Sequence, residues 1–168
     1  TFTDDVVVRL LPDSTAPRVV RTLPAGNDIV GAADTMAAYF NEPLSPATVI
    51  EVPESRGPTA PSRCKAEAAA LIAKLPRSYP CISLDPMGEA LGSEAFARLL
   101  GKLRDDGAKG LGFLIGGADG LGPEALVKSI RSLSLGPMTL PHGLARIVLA
   151  EQLYRAATIL AGHPYHRG

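Results

Sequence analysis

The chain has 168 residues, and its 17 Lys and Arg balance 17 Asp and Glu to a net charge of zero. That length suffices for one domain with a proper core, so we expect a single domain over residues 1–168. Without a run of about 18 apolar residues or a basic-then-apolar leader, neither a membrane nor an export destination is expected, and the cytoplasm is the expected location. A neutral chain is not an obvious binder of DNA or naked RNA, because phosphate contacts need basic side chains. A local basic patch stays compatible with that balance, since charge position matters more than the sum. Cys64 and Cys81 form no C-x-x-C pair and have no His at ligand spacing, so two reduced thiols and no metal are expected.

In chain order, Asp5 to Leu11 is a short β-branched strand ended by Pro12. Residues 12–28 carry Pro12, Pro17, Pro24 and Gly26 and read as a loop. Ile29 to Phe40 looks helical, with Pro43 and Pro46 beyond it. Thr48 to Val52 is the second strand. A loop from Glu54 leads to Ser62, the expected N-cap of an alanine-rich helix from Arg63 to Leu75. Pro80 to Leu84 is the third strand, closed by Asp85-Pro-Met-Gly88. Ser93 is expected to cap the next helix, whose apolar stripe is Phe96, Leu99, Leu100 and Leu103.

Leu111 to Ile115 reads as a strand running into the glycine-rich turn Gly116-Gly-Ala-Asp-Gly-Leu-Gly122. A helix from Pro123 to about Ser132 follows, then a short strand at Leu133 to Leu135. The last helix spans His142 to about Ala161 and stops at Gly162. Strands alternating with helices predict a mostly parallel sheet covered on both faces. The last helix is apolar around most of its circumference, which predicts burial on two sides, one against the sheet and one against a second copy of the chain.

In an open α/β sheet, ligands bind beyond the carboxyl ends of strands, which marks the turn at Gly116 and Gly117 as a candidate site. It is not a P-loop, lacking Gly-Lys-Ser/Thr, and it fits the dinucleotide fingerprint poorly. The same features argue against a nucleotide hydrolase. His142, His163 and His166 lie late in the chain with no Cys or carboxylate cluster, so they suit proton transfer or RNA contact better than metal. Glu151 and Arg155 stand four apart, the spacing of a helix-face ion pair. The tail His163-Pro-Tyr-His-Arg167 combines a ring, two imidazoles and a guanidinium, a set able to stack on a base and hold a phosphate.

Several segments occur together in a telling order: Leu84-Asp-Pro-Met-Gly88, Ser93-Glu-Ala-Phe-Ala97, Phe113 to Leu121, Leu133-Ser-Leu135, Met138-Thr-Leu-Pro-His142, Glu151 to Ala156 and Pro164-Tyr-His166. This ordered set resembles the bacterial SPOUT-class 23S ribosomal RNA pseudouridine N3-methyltransferases, with good coverage of residues 80–168. The first 60 residues match only as strand, loop, helix and strand. The loop at 12–28 departs from the pattern, and Glu89 stands where the family usually has a lysine.

The resemblance implies an α/β knot fold with a trefoil knot near the C-terminal end, an exception to the usual avoidance of threading. It also implies a homodimer that acts on 23S rRNA within the 70S ribosome and uses S-adenosylmethionine. By matching position, the methyl donor would be held by Leu84, Gly116, Gly117, Leu135, Gly136, Pro137, Met138, Thr139 and Leu140. His142 and His166 are the candidate catalytic residues for removing the N3 proton. Tyr165, His166 and Arg167 are the candidates for holding RNA. Alternatives that keep the fold are methylation of another rRNA or tRNA site, and a non-enzymatic ribosome-binding factor with a retained cofactor pocket.

Overall fold

A computed structural model of the chain describes residues 4–10 and 47–48, as backbone only, and 49–162. The expected loop at 12–28, the helix at 29–40 and the tail from His163 lie outside the described residues. Five strands form one sheet: β1 (Asp4–Leu10), β2 (Ala47–Pro53), β3 (Cys81–Ala90), β4 (Leu111–Ile115) and β5 (Arg131–Ser134). Their order across the sheet is β2-β1-β4-β3-β5. The described helices are α1 (Ala60–Ala73), α2 (Ser93–Asp105), α3 (Pro123–Lys128) and α4 (His142–Leu160).

The half of the sheet built from β4, β3 and β5 is parallel, and the expectation of a parallel sheet holds there. Its two crossovers are α2 and α3. The first strand is the exception: β1 runs antiparallel to both β2 and β4. Strand direction is legible in a sequence only through the connection that precedes or follows it. The connection from β1 to β2 lies in the segment outside the described residues.

Helices cover both faces, as alternation predicted. Along β4 the side chains point alternately to either side, and every residue is buried. Phe113 and Ile115 join Ile82 and Leu133 against Phe96 and Ala97 of α2 and Ala145, Leu149, Leu153 and Ala156 of α4. Leu114 and Cys81 face the opposite way, against Ala68 and Leu71 of α1 and Ala125 of α3. Phe96 meets Phe113 edge-on, with ring centroids 6.1 Å apart. This is the favoured geometry for an aromatic pair.

Helix boundaries shift by a few residues where cap chemistry overrides the pattern. The helix expected from Arg63 begins at Ala60, and its N-cap is Thr59. Ser62 serves instead as the third helical residue, and the two side chains cap each other's backbone N–H groups. Pro61 fits this start because a proline in the first turn loses no intrahelical bond. Ser93 likewise lies inside its helix, one residue after the N-cap Gly92, and its hydroxyl donates to Gln152 of α4 at 2.7 Å. The helix after Pro123 ends at Lys128, and β5 starts at Arg131 rather than Leu133.

On α4, the sheet-facing stripe is Ala145, Leu149, Leu153 and Ala156. Arg146 is also buried and donates to Glu51 on β2 at 3.0 Å. The expected pair of Glu151 and Arg155 forms, with Arg155 Nε 2.8 Å from Glu151 Oε1. Ile147 and Val148 are only partly covered, and Leu144 and Leu160 are exposed.

Phe113 is fully buried between two helices, so Phe113→Ala is expected to cost about 3–5 kcal/mol of stability. Val127→Ala, at a site 87% exposed, is expected to stay within about 0.5 kcal/mol of wild type. Urea midpoints of the two variants check the contrast.

Candidate functional site

The site is built by register. Leu84 on β3 is opposite Ile115 on β4 and opposite Leu133 on β5. Neighbouring strands lie about 4.8 Å apart, so these three residues form a row about 10 Å wide at one level of the sheet. All three strands run the same way, so the chain leaves the row on the same edge at each. Gly116 and Gly117 follow Ile115, Asp85 follows Leu84, and the segment from Ser134 to Leu140 follows Leu133. Three segments separated by tens of residues thus become three walls of one candidate site, at the edge where open α/β sheets bind ligands.

The middle wall differs from the expectation that Asp85-Pro-Met-Gly88 closes the third strand. The strand bulges and then resumes: both Leu84 and Glu89 are opposite Leu133, and pairing continues to Ala90. Asp85 Oδ1 accepts the Met87 N–H at 2.7 Å and holds the turn. A Cβ at Gly88 would lie 2.7 Å from the backbone carbons of Ser132 and Leu133. The bulge therefore crosses directly over β5, and only glycine fits the crossing. Glu89, at the position of the usual lysine, pairs with Arg131 of β5. Below the crossing, the fully buried Ser83 hydroxyl bonds that of Ser132 at 2.6 Å.

The glycine-rich wall is folded on itself. Gly117 and Gly120 form a bridge, Gly120 donates to the Gly117 carbonyl at 3.1 Å, and Gly120 has φ of +80°. A Cβ at Gly116 would lie 2.6 Å from the Gly120 carbonyl carbon. That side of Gly116 is thus filled by the loop's own backbone, not held open for a ligand. Helix α1 pins the loop from outside. Arg63 Nε donates to Asp119 Oδ2 at 2.6 Å, and the Cys64 thiol donates to the Asp119 carbonyl at 3.4 Å. The Arg63 bond holds the Asp119 carboxyl below its usual range, and the same bond raises Arg63. Burial pushes the Cys64 thiol up, consistent with an unreactive thiol.

The third wall is set by Ser134, whose hydroxyl donates to the Gly136 carbonyl at 3.0 Å and accepts its N–H at 3.1 Å. Leu135 and Leu140 pack with Leu84 against the core. Pro137, Met138 and Thr139 form the outer part of this wall and are exposed, Met138 by 75%. The Met138 side chain therefore does not share the leucine cluster. His142 is half-buried at the first position of α4, two residues beyond Leu140. Tyr165, His166 and Arg167 lie outside the described residues.

The fold therefore brings Leu84, Gly116, Gly117, Leu135 and Gly136 to one edge of the sheet, and Leu140 packs against the same core as Leu84 and Leu135. The lining is apolar side chain and backbone, the kind of surface that takes a flat ring by its faces and bonds its rim. Among the described residues no cluster of His, Cys, Asp or Glu suits a metal ion. Three features escaped the sequence reading: the crossing at Gly88, the Ser83–Ser132 pair and the Arg63–Asp119 clasp. Each joins positions far apart in the chain. The only local signal was the glycine at 88, and it read as part of the turn closing the strand.

A family model described as "Predicted SPOUT methyltransferase" matches residues 31–166. That match begins well upstream of the motifs that carried the resemblance. The chain is 54% identical over 142 residues, 80% of its own length and 89% of the relative's, to "Ribosomal RNA large subunit methyltransferase H" of Rhizobium leguminosarum bv. trifolii. It is 54% identical over 119 residues, 71% and 74% of the two chains, to the protein of the same name from Rhodopseudomonas palustris. It is 54% identical over 121 residues, 72% and 76%, to that of Brucella anthropi.

The clasp on the glycine-rich wall has a definite pH dependence. Because Asp119 is depressed in the folded chain, its contribution is present above the unfolded carboxylate pKa. It is lost only as pH falls through the lower folded value. A carbon NMR titration is expected to place the Asp119 midpoint below the model-peptide 3.8. In Arg63→Ala the midpoint is expected to rise back toward that value. An unmoved midpoint would contradict the clasp.

Proposed function

The chain belongs to the SPOUT methyltransferase family, and from that premise we propose that it methylates N3 of a pseudouridine in 23S rRNA, as a homodimer acting on the assembled 70S ribosome. The family's methyl donor is S-adenosylmethionine. One observation carries the reading: three distant segments converge on a crevice lined by Leu84, Leu135 and Leu140 beside the backbone at Gly116 and Gly117. The relatives are named as methyltransferases of large-subunit ribosomal RNA, which supports that RNA as the substrate.

The residues present fit an adenosyl group. Three leucine side chains offer an apolar bed for a purine, and backbone N–H and C=O groups of residues 116–117 and 135–140 offer partners for its rim. When bound, S-adenosylmethionine supplies a methyl group on a sulfonium centre, an electrophile with a good leaving group. The protein's task is then to hold the donor and the nucleophile in line, which by itself removes much of a barrier. N3 of pseudouridine carries a proton that must leave, and an imidazole nitrogen of His142 or His166 would take it. Tyr165, His166 and Arg167 would hold the RNA by stacking and phosphate contact.

The trefoil knot is what membership of the family implies. The incompletely covered side of α4, with Leu144, Ile147 and Val148, supports the dimer. Among the described residues no helix is long and apolar enough to cross a membrane, as suits work on ribosomes in the cytoplasm.

Calorimetric titration with S-adenosylmethionine is expected to show binding, weakened about tenfold in Leu135→Ala, equivalent to about 1.4 kcal/mol. Labelled methyl transfer is expected on intact 70S particles and not on free rRNA, with mass mapping placing the methyl on a pseudouridine. No binding at millimolar donor would overturn the methyltransferase reading. Methyl transfer to tRNA or to another rRNA position would overturn the substrate.

A further inference from the structure

We propose that the end of the sheet opposite the crevice, where Arg77, Lys109 and Lys128 stand on neighbouring loops, is a second RNA-binding surface that takes the phosphate backbone of ribosomal RNA; this rests on the rRNA-substrate reading above. The crevice edge is poorly equipped for phosphate. It carries Asp4, Asp5, Glu54 and Asp85 against Arg56, while Arg63 and Arg131 are taken up by Asp119 and Glu89. Phosphate contacts need basic side chains, and these are gathered at the other end.

That end is built by the same register that makes the crevice. Cys81 at the start of β3 is opposite Gly112 on β4, and Ile82 is opposite Arg131 at the start of β5. The chain enters each strand from a short loop, and backbone bonds join these loops to the neighbouring strands. Gly112 donates to the Pro80 carbonyl at 3.0 Å, and Ile130 donates to the Cys81 carbonyl at 2.8 Å. Arg77 stands in the turn that the Tyr79 N–H closes on the Pro76 carbonyl. Lys109 follows Ala108, whose N–H is held by the Leu103 carbonyl of α2. Lys128 ends α3, and its carbonyl accepts from the buried Cys81 thiol at 3.6 Å. All three residues are exposed, on backbone fixed at the level where the strands begin.

The charge balance at this end is positive. Lys74 is the C-cap of α1, and Lys102 and Arg104 lie in the last turn of α2. Asp105 is taken by Arg104 at 2.9 Å. Asp106, and Glu124 one turn before Lys128, are then two acids against five cations: Lys74, Arg77, Lys102, Lys109 and Lys128. Two carboxylates cannot neutralise five cations. Residues 9–46, whose side chains lie outside the described residues, add three Arg and four acids, which leaves the total positive. Lys74, Lys102 and Lys128 also offset helix dipoles at carboxyl ends. Arg77 and Lys109 belong to no helix, so that account does not reach them. A chain of zero net charge that collects cations at one end is oriented by a polyanion toward that end.

The test uses the full-length protein and purified 70S ribosomes. The triple variant Arg77→Ala, Lys109→Ala, Lys128→Ala is expected to raise KM for ribosomes about tenfold or more, with kcat and the affinity for S-adenosylmethionine unchanged. The slope of log affinity for ribosomes against log salt is expected to fall by about 2 to 3, the loss of three phosphate contacts. Arg77→Lys with Lys109→Arg keeps both charges and is expected to keep the slope. Lys65→Ala, which removes an exposed cation from the middle of α1, is expected to behave as wild type. A benzophenone side chain in place of Lys109 is expected to crosslink to ribosomal RNA. An unchanged KM and salt slope in the triple variant, or crosslinks to ribosomal protein alone, would overturn the proposal while leaving the methyltransferase reading standing. Should the wild type bind ribosomes without transferring methyl, the methyltransferase reading fails, and the slope and the crosslink still decide the role of this surface.

Discussion

The structure depends on the level at which β4, β3 and β5 end together. Parallel pairing puts Ile115, Leu84 and Leu133 in one row, and the row has two consequences. Below it, Phe113, Ile82 and Leu114 are fully buried between helix layers and hold the strands in register. Above it, the three strands release chain at the same edge, and the chain released becomes the crevice. A slip of one residue in any of these strands would turn buried side chains to the opposite face. It would also carry Leu84 or Leu135 out of the crevice. Core packing and site geometry are thus enforced by the same pairing.

Much of this was legible in the sequence because it is local. The apolar run from Leu111 to Ile115, the glycines after it and the helix start at Pro123 lie within a few residues of one another. The helix from His142 ends where Gly162 stands. What was not legible depends on encounters between distant segments. The pattern ending at Leu84 gave no reason for β3 to resume at Glu89, because the partner that makes it resume is β5, more than 40 residues on. Gly88 looked like a turn glycine, while its need comes from the backbone of Ser132 and Leu133. The reversed direction of β1 was hidden for the same reason. Ser62 misled more simply: two residues of the right type stood three apart, and the earlier one, Thr59, took the cap.

The glycine-rich turn lies beyond the end of β4, where the sequence put it, but its glycines answer to a different cause. The glycine at 116, however, is required by the turn's own closure on Gly120 and Leu121. The turn then acts as a rigid rim, closed internally by the Gly117–Gly120 bridge and externally by Arg63 and Cys64 of α1. Rigidity of this kind favours binding by lowering the ordering cost when a ligand arrives.

Those charged residues follow one logic across the edge. Asp119 with Arg63 and Glu89 with Arg131 are pairs that join separate segments. Exposed pairs of this sort contribute little to global stability. Their effect is to fix which loop lies against which, and to cancel charge along this edge of the sheet. Cancellation leaves this edge without a broad positive field, so recognition of a polyanion must rest on a few placed groups and on the shape of the substrate.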